Sequence, residues 1–326
     1  MHEGARNALR VALIAKHSRR PGFHSTLQCD DIKVVCDREP GESVRYDLEG
    51  ADVALVDLDT DAPRAWIEDL LDISPVPILL NQGGVGLSES WKRSLIAKLR
   101  ALGPLPRAPT GDEAVDSRPG LRLVNGHSVL HQPASLVVVL CGSMGGPKAM
   151  ARFLTVLASD LPISLLVAQH ISQPFDLLLS RHLDRCGPWR VATLVQPTQL
   201  EPGQVWVVPA QNRIVIEPSG RVQLSDQAWE AAQKPDINAV LSAVAEAFGP
   251  ASGAIVFSGL GGAGALGCES VIRRGGFVWT QSSESCVVPH LPEAARRSGK
   301  VAFSGTPEQL ARELAYACEP RTASLN

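Results

Sequence analysis

The sequence predicts an α/β protein of two domains, each built on a parallel sheet, the second doubly wound. Three observations carry this. Short apolar runs alternate with amphipathic stretches, the pattern of parallel strands joined by covering helices. The alternation stops between Gly103 and Pro133, where Pro, Gly, Arg, Asp and Ser accumulate (GPLPRAPTGDEAVDSRPG). The 326 residues also exceed one ordinary domain of roughly 100–200 residues. These boundaries predict a front domain over 9–103, a linker over 104–133 and a second domain over 134–318.

In the front segment Arg10–Ala15 (RVALIA), Asp52–Leu58 (DVALVDL) and Val76–Leu80 (VPILL) read as strands. The amphipathic stretch Ala65–Asp72 precedes the third, and Trp91–Ala101, apolar on one face and basic on the other, closes the unit as a helix. Within the linker, Leu121–Val124 reads as a brief strand. From Ala134 the alternation resumes: strand Ser135–Leu140, helix Pro147–Leu157, strand Ile163–Ala168 and helix Phe175–Arg185. Gln204–Val208 and Arg213–Glu217, separated by Pro209 and Asn212, read as a β-hairpin excursion. Helix Ile237–Phe248, strand Ala254–Ser258, helix Ala265–Arg274, strand Gly276–Gln281 and helix Pro307–Ala317 complete the unit.

Composition narrows the function classes. Hydrophobic residues make up 44% and charged residues 20%, with a formal net charge of -3, which is ordinary for a globular protein and gives no basic face for nucleic acid. The apolar runs fall short of the ~18 residues that a membrane helix needs. The first ten residues lack the apolar core of a secretory signal, so a cytoplasmic protein is expected. Seven cysteines without a C-x-x-C pair fit neither a disulfide framework nor a zinc ribbon. His182 and Cys186 stand one helical turn apart, a metal-compatible spacing, but no second pair matches them, and neither metal nor cofactor is expected.

The chemistry gathers in four segments that follow predicted strands: C-G-S-M-G-G (141–146), Q-H-I-S (169–172), S-G-L-G-G-A-G (258–264) and Q-S-S-E-S-C (281–286). Ligands of open α/β sheets bind beyond the carboxyl ends of the strands, so these segments are expected to line one site. Ser143 lies at a strand-to-helix turn among Gly142, Gly145 and Gly146, with Pro147 where a first helical turn tolerates a missing N–H. A serine so held is a candidate nucleophile, and the N–H groups of Met144, Gly145 and Gly146 are candidates for an oxyanion. The same residues also read as a plain turn or a phosphate loop, and Cys141 breaks the strict G-x-S-x-G pattern. His170 ends the next strand, where it can serve as general base or as a satisfied strand-end histidine.

Read together, C-G-S-M-G-G-P, A-Q-H-I, P-G-Q-V-W-V-V-P-A (202–210), K-P-D-I-N-A-V-L (234–241), V-F-S-G-L-G-G-A-G (256–264) and S-C-V-V-P-H-L-P-E-A (285–294) resemble, in order, the catalytic domain of the chemotaxis protein-glutamate methylesterases. The resemblance covers about residues 134–318. It implies hydrolysis of glutamate γ-methyl esters on a methyl-accepting chemoreceptor, with Ser143 as nucleophile, His170 as base and Leu260 beside the pocket. A chemosensory histidine kinase is the further partner it implies. The family's triad aspartate falls on Ala263. Losing that carboxylate costs hydrolase triads roughly 10⁴-fold, so either another acid replaces it or activity is weak. Asp236 and Glu284 are the candidate substitutes, each of which also reads as a helix N-cap or a solvated loop acid. Met144 stands where the family usually has threonine, and Asn238 replaces another family acid.

The front domain resembles a response-regulator receiver of the flavodoxin-like fold, with Asp57 in the place of the phosphoacceptor. Ala15 and Lys16 stand where the acidic pair for Mg²⁺ is expected, and Leu80 and Asn81 where a Thr or Ser is expected. A receiver-like domain that is not phosphorylated is therefore expected. Two rival readings remain for the chain. Gly259–Gly264 is a literal G-x-G-x-x-G, but Thr280 and Gln281 occupy the place of the ribose-binding acid. A catalytically impaired adaptor that binds receptor or kinase is the other, and Cys141 is a weak alternative nucleophile.

Overall fold

The protein is described by a computed structural model over residues 8–40, 48, 50–58, 66–67, 70, 74–82, 85–86, 88–103, 134–172 and 175–318. The chain divides into two compact units, with the boundary between Gly111 and Asp112. The proposed linker strand Leu121–Val124 and most of the stretch Ala65–Asp72 lie outside the described residues. Among those described, no helix is long and apolar enough to cross a membrane.

The first unit holds strands β1 (Leu9–Ile14), β2 (Ile32–Arg38), β3 (Val53–Leu58) and β4 (Ile78–Gln82), with helices α1 (Arg20–Thr26) and α2 (Glu89–Leu102). The strands are parallel in the order β2-β1-β3-β4, which is the opening order of a flavodoxin-like sheet and fits a receiver-like domain. Every residue of β3 is buried, as expected of a strand covered on both faces. The strand β2 was not among the sequence expectations. Its Lys33, Asp37 and Arg38 interrupt the apolar run, which an edge strand tolerates. The strand β4 begins at Ile78 rather than Val76, since Pro75 and Pro77 have no N–H to give a ladder.

Asp57, next to the end of β3, is buried, and both its oxygens are engaged inside the protein. Oδ2 accepts from Arg19 Nη1 at 3.0 Å and Oδ1 from Asn81 Nδ2 at 2.9 Å. Arg19 stands at the start of α1, in the segment that leaves β1. A guanidinium thus neutralises a carboxylate that has neither of the acidic neighbours a metal would need.

The second unit is larger. Strands β5 (Leu136–Gly142), β6 (Ile163–Gln169), β7 (Arg190–Thr193), β9 (Gln204–Val207), β12 (Ser252–Val256), β13 (Phe277–Gln281) and β14 (Phe303–Gly305) form a parallel sheet ordered β14-β13-β12-β5-β6-β9-β7. The chain steps outward from β5 through β6, then returns to the other side of β5 with β12. The strand order therefore reverses beside β5, where open α/β sheets bind ligands.

All seven residues of β5 are buried, and their alternation feeds two cores. Leu136, Val138 and Leu140 pack with α3 (Gly146–Val156), α4 (Phe175–Arg185) and α8 (Pro307–Cys318), through Phe153, Leu183 and Leu314 among others. Val137, Val139 and Cys141 pack with α5 (Ile237–Phe248), α6 (Ala265–Arg273) and α7 (His290–Arg296), through Val240, Val271 and Leu291. Each fully buried Val or Leu contributes about 1.5–3 kcal/mol, so the central strand is anchored from both faces.

The expected hairpin between Gln204–Val208 and Arg213–Glu217 is corrected. β9 is a parallel strand between β6 and β7, where Val205 and Val207 are buried. The antiparallel excursion instead joins β10 (Ile214–Ile216) to β11 (Arg221–Leu224), and β8 (Thr198–Gln199) extends it. Its tight turn lies at Gly220, whose φ of 82° suits glycine and whose N–H donates to Glu217 O at 2.8 Å.

Acetyl phosphate with Mg²⁺ is expected to leave Asp57 unmodified, and a stable aspartyl phosphate found by intact-mass analysis overturns that expectation. Arg19→Met is expected to lower stability by about 2 kcal/mol in urea unfolding. This is less than the ~3–5 kcal/mol for breaking a fully buried pair, because the Arg19 side chain is 33% exposed.

Candidate active site

The carboxyl ends of β13, β12, β5 and β6 lie side by side, and the four polar segments expected to line one site follow these four strands. The strand β5 is paired with β6 through Gly142 opposite Gln169, and His170 N–H donates to Gly142 O at 2.9 Å. One residue further on, Ser143 and His170 leave adjacent strands about 4.8 Å apart, the spacing of a sheet. On the other flank Ser143 N–H donates to Ser258 O at 3.1 Å, just past β12. No hydrogen bond joins Ser143 Oγ to His170 among the described residues.

The turn at Ser143 is held from several directions. Its carbonyl accepts from Gly146 N at 3.0 Å and from Gln169 Nε2 at 2.7 Å. Ser258 Oγ donates to Met144 O at 2.7 Å and accepts from Val288 N at 2.9 Å, which ties the turn to the segment before α7. Gly145 has φ 80°, and a Cβ there would lie 2.6 Å from Ser258 Oγ. A Cβ on Gly259 would lie 2.8 Å from Ser143 Cβ. Only glycine allows these two close approaches.

This geometry alters the expected oxyanion donors. Gly146 N–H is spent within the turn and is not one of them. Met144 and Gly145 N–H make no hydrogen bond among the described residues, so two donors remain beside Ser143. Leu260 follows Gly259 directly and is half-buried.

His170 sits in a partly dry setting. Burial pushes its pKa down to about 4, only partly opposed by the negative charge of Asp236, so the imidazole is neutral at pH 7. Its Nδ1 is buried without a hydrogen-bond partner. Asp236 is the N-cap of α5, its Oδ1 accepting from Asn238 N at 2.9 Å and Ala239 N at 3.3 Å. The N-cap reading of this acid therefore holds, and the same residue also acts on His170. Ile171 N–H, next to the histidine, donates to Lys234 O at 2.9 Å and so brings the 234–236 segment alongside.

The remaining candidates have other partners or surroundings. Glu284 is exposed, and its pKa is lowered by the Ser282 hydroxyl and by its own N–H, with Arg296 nearby. Asn238 Oδ1 accepts from Gly267 N at 2.9 Å and thus fastens α5 to α6. Ala263 packs against the apolar cluster around α5 and α6. Cys141 is fully buried, and burial drives its thiol pKa well up, which is the setting of an inert structural thiol. Cys186 Sγ lies 3.9 Å from His182 Nε2, and no third ligand joins them among the described residues.

Two supports escaped sequence reasoning. Gln169 and Ser258 were noted only as parts of motifs, yet they clamp the Ser143 turn through its carbonyls. The available signal was a polar residue at the end of a fully buried apolar run, where it must find a partner inside.

Residues 138–314 match the sequence profile of a family described as CheB methylesterase. Among characterised proteins, a protein-glutamate methylesterase/protein-glutamine glutaminase 1 of Saccharophagus degradans is 30% identical over 164 residues, 50% of this chain and 45% of that protein. The protein-glutamate methylesterase FrzG of Myxococcus xanthus is 26% identical over 320 residues, covering 88% of this chain and 92% of that protein. The crystal structure of a Thermotoga maritima CheB methylesterase catalytic domain superposes with a TM-score of 0.53 and 23% identity over 56% of this chain and 97% of that domain, which shows the shared fold.

Stability should depend on the state of His170. Between pH about 6.5 and about 4 the unfolded chain binds a proton that the folded imidazole refuses, so unfolding free energy falls as pH falls through that window. The full loss is on the order of 3 kcal/mol. Urea unfolding of the wild type and of His170→Gln at pH 7 and pH 4.5 checks this, the variant being expected to lose less on acidification.

Proposed function

Because the chain belongs to the CheB methylesterase family, we propose that its second unit hydrolyses glutamate γ-methyl esters on a methyl-accepting chemoreceptor, with Ser143 as nucleophile and His170 as base. The observation that carries the reading is the register of β5 on β6, which seats Ser143 beside His170 at the point where strand order reverses.

Ser143 Oγ attacks the ester carbonyl carbon while its proton passes to the neutral His170. The carbonyl oxygen takes up negative charge and is met by the N–H groups of Met144 and Gly145. The bond to the methoxy group breaks, and His170 returns its proton to make methanol. Water, deprotonated in turn by His170, attacks the acyl-serine, and the products are a free glutamate carboxylate and Ser143 restored.

A second reading, an impaired adaptor for receptor or kinase, draws on Ala263, which offers no carboxylate to the histidine. The two readings diverge in one experiment. Treatment with an activated phosphonate is expected to add to Ser143, as mapped by mass spectrometry, and not to Ser143→Ala. Methanol release from methylated receptor is expected to fall at least 10³-fold in that variant. No adduct together with no methanol from the wild type leaves the adaptor.

A further inference from the structure

The chain offers His170 a carboxylate from a different element than the turn that carries Ala263. His170 Nδ1 is buried and unpartnered, a costly state that a nearby acceptor would relieve. Ile171 N–H holds Lys234 O, so the chain runs past His170 two residues before Asp236. Asp236 then starts α5, whose first residue touches the neighbouring turn: a Cβ on Gly264 would stand 3.0 Å from Ile237 Cγ2. The start of α5 and the Ala263 turn therefore border the same ground.

Asp236 is also free to take part. Its two cap bonds both fall on Oδ1, and Oδ2 makes no hydrogen bond among the described residues. Asp236 is the charged group that acts on the imidazole. The Lys234 side chain is exposed, and Gly142, Ser143, Gln169, Ile171 and residues 259–264 carry no charge.

Resting on the esterase reading, we propose that Asp236 is the positioning acid of this site, receiving Nδ1–H of His170 on Oδ2 when the imidazolium forms. A buried imidazole resists protonation, so the step that moves the Ser143 proton to its Nε2 needs a fixed negative charge close by. Asp236 supplies it without taking the proton. With Nδ1–H turned to Asp236, Nε2 is left to accept the Ser143 proton and later to give it to the departing methoxide. Substrate binding and charge on His170 draw the pair together.

The test is Asp236→Asn, which retains the N-cap, since asparagine caps about as well as aspartate. Methanol release from methylated receptor is expected to fall about 10²–10⁴-fold in kcat with KM changed less than threefold. The acidic limb of kcat/KM should also move to lower pH, because removing the carboxylate makes His170 harder to protonate. Ala263→Asp added to Asp236→Asn is expected to recover at least tenfold of the loss. A kcat within threefold of wild type and an unmoved limb overturn the proposal while leaving Ser143 and His170 in place. Should the wild type release no methanol, the esterase reading fails separately. NMR titration of His170 then still decides the coupling: a lower pKa in Asp236→Asn supports it, and an unchanged one overturns it.

Discussion

The second unit is organised by the hydrogen bonds along β5, which is paired on one side with β6 and on the other with β12. Because both neighbours are parallel to it, all three strands deliver their carboxyl ends to one edge, and the residue following each strand is fixed by register rather than by its own loop. Ser143 is held by Ser258 O on one flank, and His170 by Gly142 O on the other. Every later feature of the site, from the Gln169 clamp to the close approach of Gly259, presupposes that alignment. Shifting β5 by one residue would also turn Leu140 and Cys141 to the wrong cores.

The site sets two requirements against each other. Burial keeps the His170 imidazole neutral at pH 7, but in the proposed reaction it also opposes the charged form that the imidazole would pass through. Sites of this kind resolve the conflict with a fixed counter-charge, which costs no reorganisation during reaction. An N-cap carboxylate is well suited to the part, since the N–H groups of Asn238 and Ala239 hold it in place through one oxygen. The helix dipole favours its charge as well.

Much of this was legible in the residues, and the failures share a cause. Helices Phe175–Arg185 and Ile237–Phe248 carry long amphipathic patterns, and their observed limits are those expected. The uninterrupted buried runs of β5 and β6 likewise announced central parallel strands, and with them the neighbouring ends at Ser143 and His170. Short elements carry too few residues for a period to appear. The four residues of β7 and the three of β14 passed unnoticed, and β9 was given to the wrong partner because local turn residues say nothing about which strand lies across a sheet. The charge effect of Asp236 on His170 and the ion pair of Arg19 with Asp57 join residues 66 and 38 positions apart, by way of a helix start and a long side chain, and no local pattern encodes them.

The two units treat a carboxylate in opposite ways, and the difference is physical. Asp57 is buried with both oxygens bound by groups of its own unit, so its negative charge is already spent on Arg19 and Asn81. A phosphoryl group arriving there would have to displace a guanidinium, and Ala15 and Lys16 stand where an acidic pair for a metal is expected. Asp236 has one oxygen held and the other without a hydrogen bond among the described residues, and its charge acts on the buried imidazole of His170. A carboxylate neutralised at rest is a structural part, whereas one left half-satisfied next to a titrating group gains its partner only when that group takes charge. On the proposed reading the chemical work of the chain falls to its second unit, where one carboxylate oxygen of Asp236 is left open among the described residues.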